Sequence, residues 1–187
     1  MKKSLIIASI AVFLLALNSC SHSKKLENAT KSTEVILPLT GKEYQSDKDN
    51  FRAKQSGKSI DLATSKKIAL QNAKSELASN IQAIVKTVTD QYTNQRKVDS
   101  AQSFENKFEE LSRLVVNQTL ADVKIIGEKT FIETDKSYTY WVVIEMSKTA
   151  VLDAINSKIT KDEKLKLDYD KKSFEEIFNS EMEKISK

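Results

Sequence analysis

Apolar side chains recur at Ala69, Ala73, Leu77, Ile81, Ile84, Val88 and Tyr92. Steps of four and three keep them on one stripe of a helix with 3.6 residues per turn. The spacing therefore predicts one continuous helix from Leu62 through Tyr92. A stripe of that length must be buried, so every other element has to be placed around it. Ala69 and Ala73 are small, which lets the first half of the helix approach a sheet closely. Gly57 before it reads as a turn, and Ser59 or Asp61 as the N-cap, since a short polar side chain can accept the unpaired N–H groups of the first turn.

The chemistry around this helix is that of strands. Residues 50–57 (NFRAKQSG) read as a short strand. Val123, Ile125, Ile126, Phe131 and Ile132 are β-branched or aromatic, with Gly127 as a bulge position. A turn at 133–137 leads into 138–146 (YTYWVVIEM), so the pair predicts a β-hairpin. Three further helical patterns come from Phe104, Phe108, Leu111 and Leu114 or Val115 (entered near Ser103), from Val151, Leu152 and Ile155 after Ser147, and from Phe174, Ile177, Phe178, Met182 and Ile185. The expected fold is one α+β domain: a small antiparallel sheet, made of an N-terminal strand and a C-terminal hairpin, packed by a long helix with further amphipathic helices around it.

In the second hairpin strand Tyr138, Tyr140, Val142, Ile144 and Met146 share one face, while Trp141 and Val143 occupy the other. A half-buried strand is polar on one side, but the middle of this one is apolar on both. One face is expected on the long helix. The other needs a cover: the Phe104 helix, the Phe174 helix or a partner molecule. Tyr140, Trp141 and Val143 are the candidate partner surface.

The N-terminus carries a different signal. Lys2 and Lys3 precede an entirely apolar run at residues 5–17 (LIIASIAVFLLAL). Such a run fits the roughly 7–15 residues of a secretory core and falls short of the roughly 18–20 that span a bilayer. It ends in Leu17-Asn18-Ser19-Cys20, which resembles the lipobox of bacterial lipoproteins, with residues 1–19 as signal peptide. The resemblance implies that Cys20 becomes the first residue of the mature chain and carries acyl chains, palmitate among them. Each buried methylene contributes about 0.8 kcal/mol, so two or three chains hold a protein where one does not. Residues 20–40 are then lipidated cysteine and polar tether, and 41–187 the domain. Within the tether, residues 35–39 (VILPL) are apolar enough to pack against the domain, and Pro38 keeps them out of a central strand.

Composition removes several functions. Cys20 is the sole cysteine and His22 the sole histidine, so the mature chain can form no internal disulfide. The domain has no thiol or imidazole for a nucleophilic triad or a zinc cluster. Three glycines without phosphate-loop spacing offer no nucleotide cradle. Loss of Lys2 and Lys3 leaves 28 basic against 26 acidic residues, too even a balance for nucleic acid. Carboxylates remain: Asp47-Lys48-Asp49 and Asp168-Tyr169-Asp170 could hold a hard cation, yet neither continues into a ligand series. Surface solvation or capping is the expected role, with Asp170 where an N-cap is wanted. No catalytic residue, cofactor site or metal site is expected.

The segments Gly41-Lys42-Glu43-Tyr44, Phe51-Arg52-Ala53, Gly57-Lys58-Ser59 and Ala69-Leu70-Gln71-Asn72-Ala73-Lys74-Ser75-Glu76-Leu77-Ala78, with Tyr140-Trp141-Val142-Val143-Ile144, resemble the Lpp-twenty-like family of small Gram-negative lipoproteins. The resemblance runs from about Tyr44 to Ile155. It implies a helix packed on a small antiparallel sheet, similar to the N-terminal domain of a flagellar assembly protein, and transfers no enzymatic residue. The expectation is a lipid-anchored cell-envelope protein with a non-catalytic binding or structural domain, held at the outer membrane by the acyl chains on Cys20. It is expected to face the periplasm, with surface exposure as the alternative, and an envelope protein is the candidate partner. The functional alternative is a carboxylate-dependent periplasmic enzyme.

Overall fold

A computed structural model of the chain describes residues 34–96 and 101–185. The lipobox residues Leu17, Asn18, Ser19 and Cys20 lie outside them. The chain divides into two units, Met1–Ile36 and Leu37–Lys187. Of the first, only residues 34–36 are described, and they are exposed, with no regular structure. The second unit carries its own core, built among the described residues from Leu39 onward. Residues 37–40, assigned to the tether on sequence grounds, thus belong to the folded domain.

The domain is α+β. Three strands, β1 (Asn50–Ser59), β2 (Lys124–Ile132) and β3 (Tyr138–Ser147), form an antiparallel sheet in the order β1-β3-β2. The hairpin strand β3 is therefore central. It pairs with β1 from Asn50↔Ser147 to Ser59↔Tyr138 and with β2 through a bulge between Ile125 and Gly127. At the hairpin turn the Lys136 N–H donates to the Glu133 carbonyl at 2.9 Å, and Lys136 takes a left-handed φ of 62°.

The predicted long helix is α1 (Leu62–Arg96). Asp61 caps it: its Oδ1 accepts the Thr64 N–H at 2.8 Å and also the Thr64 hydroxyl. Its buried seam is Ala69, Ala73, Leu77, Ile81, Val85, Val88 and Tyr92. Val85 rather than Ile84 occupies the seam, and Ile84 packs half-buried on its flank. The same stripe buries Thr89 and Thr93, whose hydroxyls donate back to the Val85 and Thr89 carbonyls.

Gly57 corrects the sequence reading. It is no turn; it sits inside β1 opposite Tyr140, where α1 crosses the sheet. A Cβ there would stand 2.4 Å from the Ser65 carbonyl oxygen and 2.5 Å from the Ala69 nitrogen. Glycine is required by backbone contact, since its φ is not positive. The small residues foreseen on the helix side meet an even smaller one on the strand side.

Helices α2 (Ala101–Thr119), α3 (Lys148–Ile159), the short α4 (Leu165–Asp168) and α5 (Lys171–Ile185) complete the domain. Ser103 lies within α2 rather than at its cap, and Leu114 is half-exposed while Val115 and Val116 are buried. Ser147 precedes α3, but its side chain makes no capping hydrogen bond. Asp170 does cap α5, accepting the Ser173 N–H at 3.1 Å. Tyr92 joins these helices: its ring stacks on Phe104 at 5.9 Å and meets Phe174 edge-on at 5.8 Å. Its hydroxyl donates to the Asp168 carbonyl and accepts the Asp170 N–H, both at 2.7 Å. α5 reaches the sheet through Phe178, whose ring lies edge-on to Phe51 at 6.4 Å.

Gly57→Ala forces its methyl into helix backbone, and we expect it to lower the unfolding free energy by about 3 kcal/mol, read from the urea midpoint. A loss under about 1 kcal/mol would show that helix and strand can part without cost. The caps predict an acid limb. The Thr64 hydroxyl and N–H hold the Asp61 carboxyl below its usual range, and the Ser173 N–H does the same for Asp170. Groups depressed in the folded state stabilise it fully above the unfolded value of about 3.9. That stabilisation is lost as pH falls through the lower folded values. Thermal midpoints should therefore drop below about pH 4, and less steeply in Asp170→Asn, which keeps a capping oxygen without the charge.

Candidate functional site

Strand alternation divides the sheet into two unlike faces. Phe51, Ala53 and Gly57 of β1 lie beside Tyr140, Val142, Ile144 and Met146 of β3, all buried. This inner face meets α1. The outer face carries Arg52, Lys54 and Lys58 of β1, Trp141, Val143 and Glu145 of β3, and Gly127, Lys129 and Phe131 of β2.

The proposed surface of Tyr140, Trp141 and Val143 is not brought together. Tyr140 is on the inner face and 4% exposed. Its hydroxyl donates to the Glu128 carboxylate, and the Lys66 ammonium sits 5.0 Å from its ring centre. Burial and the Glu128 carboxylate push this phenol up to about 12. Val143 does share the outer face with Trp141, but it is fully buried. Trp141 alone of the three remains partly open.

The cover over Val143 is neither of the helices expected there. Helix α2 packs on α1 and α3, and α5 packs on α1 and reaches the inner face through Phe178. The cover is the strap formed by residues 37–44. Leu39 is 7% exposed, and neither it nor Val143 belongs to the main core cluster. Both lie by Gly127, the cross-strand partner of Val143. A Cβ on Gly127 would stand 2.7 Å from Tyr44 Cε1 and 3.3 Å from Leu39 Cδ2. The missing side chain is the seat of the strap. Seating Leu39 requires a left-handed φ of 56°, costing roughly 1–2 kcal/mol, which burial of its side chain, about 1.5–3 kcal/mol, offsets.

Polar contacts fix the strap at both ends. The Lys54 Nζ donates to the Pro38 carbonyl at 3.3 Å and lies 5.9 Å from the Trp141 ring centre. After the strap, Arg52 donates from Nη1 to the Gln45 carbonyl and to Asp47 Oδ2, both at 2.6 Å, and from Nε to Glu145 at 2.7 Å. Burial pushes the Asp47 carboxyl up, but the Asp49 N–H, Arg52 and the Asn50 N–H together hold it below its ordinary value. Asp47 is thus the clasp of a turn. Asp49 pairs with Lys48, and Asp168 offers its backbone carbonyl to Tyr92.

A second concave region lies between α1 and α2, with a volume of about 220 Å³. Its carboxylates are engaged: Asp90 by Lys86 at 3.5 Å and Glu109 by Arg113 at 2.9 Å, each pair one helical turn apart, and Glu105 of α2 by the Thr93 hydroxyl of α1. Ser112 Oγ at its wall is buried and makes no hydrogen bond. Among the described residues no cluster of three or more His, Cys, Asp or Glu side chains is arranged to hold a metal.

No family model, curated protein or solved structure matches the chain.

Sequence reasoning missed the roles of Gly127, Tyr44 and Lys54. The available signal was the apolar 35–39 run, whose docking was foreseen without its destination. Gly127→Val should dislodge the strap, costing about 1–3 kcal/mol and accelerating protease cleavage within residues 37–44. Unchanged cleavage would mean that the strap does not depend on this seat.

Proposed function

We propose that the protein is a lipid-anchored lipoprotein of the cell envelope, of Lpp-twenty-like type, whose domain binds or scaffolds rather than catalyses. The observation that carries the reading is the N-terminal order of lysines, apolar run and Leu17-Asn18-Ser19-Cys20. This is the pattern of a chain that is exported and then acylated at cysteine. The proposed location is the periplasmic side of the outer membrane.

Two features of the domain support a non-catalytic role. The sole cysteine and sole histidine both precede residue 23, so the folded domain offers neither group to chemistry. Asp47 and Asp170, the carboxylates best placed by sequence, serve a turn and a helix cap. The domain's most distinctive surface is the outer sheet face, where Trp141 stands beside lysines and next to the strap that leads back toward the anchor. We take that face as the working surface and an envelope component as what it meets.

Cys20→Ser should abolish incorporation of a palmitate analogue and release the protein from the membrane fraction. Continued labelling of the variant would overturn the anchor and, with it, the proposed location.

A further inference from the structure

We propose that the open part of the outer sheet face is a membrane-docking surface for an anionic bilayer. The proposal rests on the lipoprotein reading only for bringing the face near a membrane; the surface itself is read from the fold.

The chemistry of the face is of one kind. Its outward positions on the three strands carry Arg52, Lys54, Lys58, Lys124 and Lys129 against a single carboxylate, Glu145. Glu145 and Arg52 bind each other, leaving four lysines. Lys58 pairs with Asp135, both more than half exposed, and such a pair yields readily to a competing anion. Lys54, Lys124 and Lys129 make no ion pair among the described residues. Trp141 stands at the centre of the open part, across from Lys129 on one side and Ser56 on the other. Phe131 is 44% exposed on the same face. An amphipathic tryptophan with a neighbouring phenylalanine and a ring of lysines is the composition that settles at the headgroup level of a bilayer. Lysines there gain from the negative potential of anionic lipid.

The path of the chain points the same way. The strap enters the domain on this face, with the Pro38 carbonyl held by Lys54. Sixteen residues lie between Cys20 and Leu37, a span of at most roughly 60 Å even fully extended. An anchor on Cys20 thus keeps the membrane within reach of the side from which the chain departs. The helices lie on the opposite side of the sheet, and α2 and α5 mix acidic and basic residues along their length.

Trp141 is the only tryptophan, so its emission reports on this face alone. The chain from Ser21 to Lys187 contains the whole Leu37–Lys187 unit and its core but no acylation site. It should bind vesicles of phosphatidylcholine mixed with phosphatidylglycerol, with a blue shift of Trp141 and quenching by brominated lipid. Binding should weaken on raising salt, as screening shortens the reach of the lysines. Lys58→Glu with Lys129→Glu, at two exposed lysines of this face that make no contact with the strap's Pro38, should reduce partition at least about 20-fold, from roughly 1 kcal/mol per lost lysine, with an unchanged circular dichroism spectrum. Lys171→Glu with Lys172→Glu on α5 should leave partition within about twofold, as those sites lie away from the face. Equal binding to pure phosphatidylcholine, no shift of Trp141, or equal losses in both double variants would each overturn the proposal. Because this chain lacks Cys20, these results are independent of acyl labelling, and either reading can fail alone.

Discussion

Backbone contact between α1 and β1 at Gly57 is the constraint on which the rest depends. Ser65 and Ala69 of the helix can lie on the strand only because no Cβ intervenes, and Ala73 continues the small-residue seam. That contact sets the height of the helix above the sheet. Leu77, Ile81, Val85 and Val88 then carry the seam beyond the glycine. The helix is about 52 Å long at 1.5 Å per residue, longer than ten-residue strands at about 3.3 Å each. Its second half therefore has to find cover among α2, α4 and α5, and Tyr92 supplies it through ring contacts and two backbone hydrogen bonds.

Placing the helices on one side leaves the opposite sheet face with only the strap. Strand β3 is central and carries apolar residues on both sides, so Val143 would be exposed without Leu39 and Tyr44. The solution is local in space and distant in sequence: Gly127 gives room, Lys54 holds the strap's carbonyl, and the Arg52–Asp47–Glu145 cluster secures the turn that joins the strap to β1. The outer face thus divides in two. The strap end is closed and structural, and the Trp141 end is open and cationic.

Much of this was legible beforehand because local periodicity reports local structure. The helix over residues 62–92, the hairpin and the C-terminal helix are written in spacing, and Asp61 and Asp170 have the short side chains that caps need. What was illegible depends on which element lies opposite. Gly57 looks like a turn and is none, while the bulge expected at Gly127 is present; both are also close-approach sites, and only the neighbour reveals that. Tyr140 adjoins Trp141 in the chain and Val143 shares its face, but strand alternation turns Tyr140 to the inner face and burial closes off Val143.

The sequence by itself determined the α+β class, the long helix and its partner sheet, because apolar spacing and capping chemistry are properties of neighbouring residues. It also supplied the lipobox-like terminus from which an anchor is proposed. The tertiary structure decided which sheet face is open, that the strap rather than a helix covers Val143, and that lysines from β1 and β2 gather around Trp141. These depend on contacts across more than eighty residues, such as Lys54 beside Trp141, which no local pattern encodes.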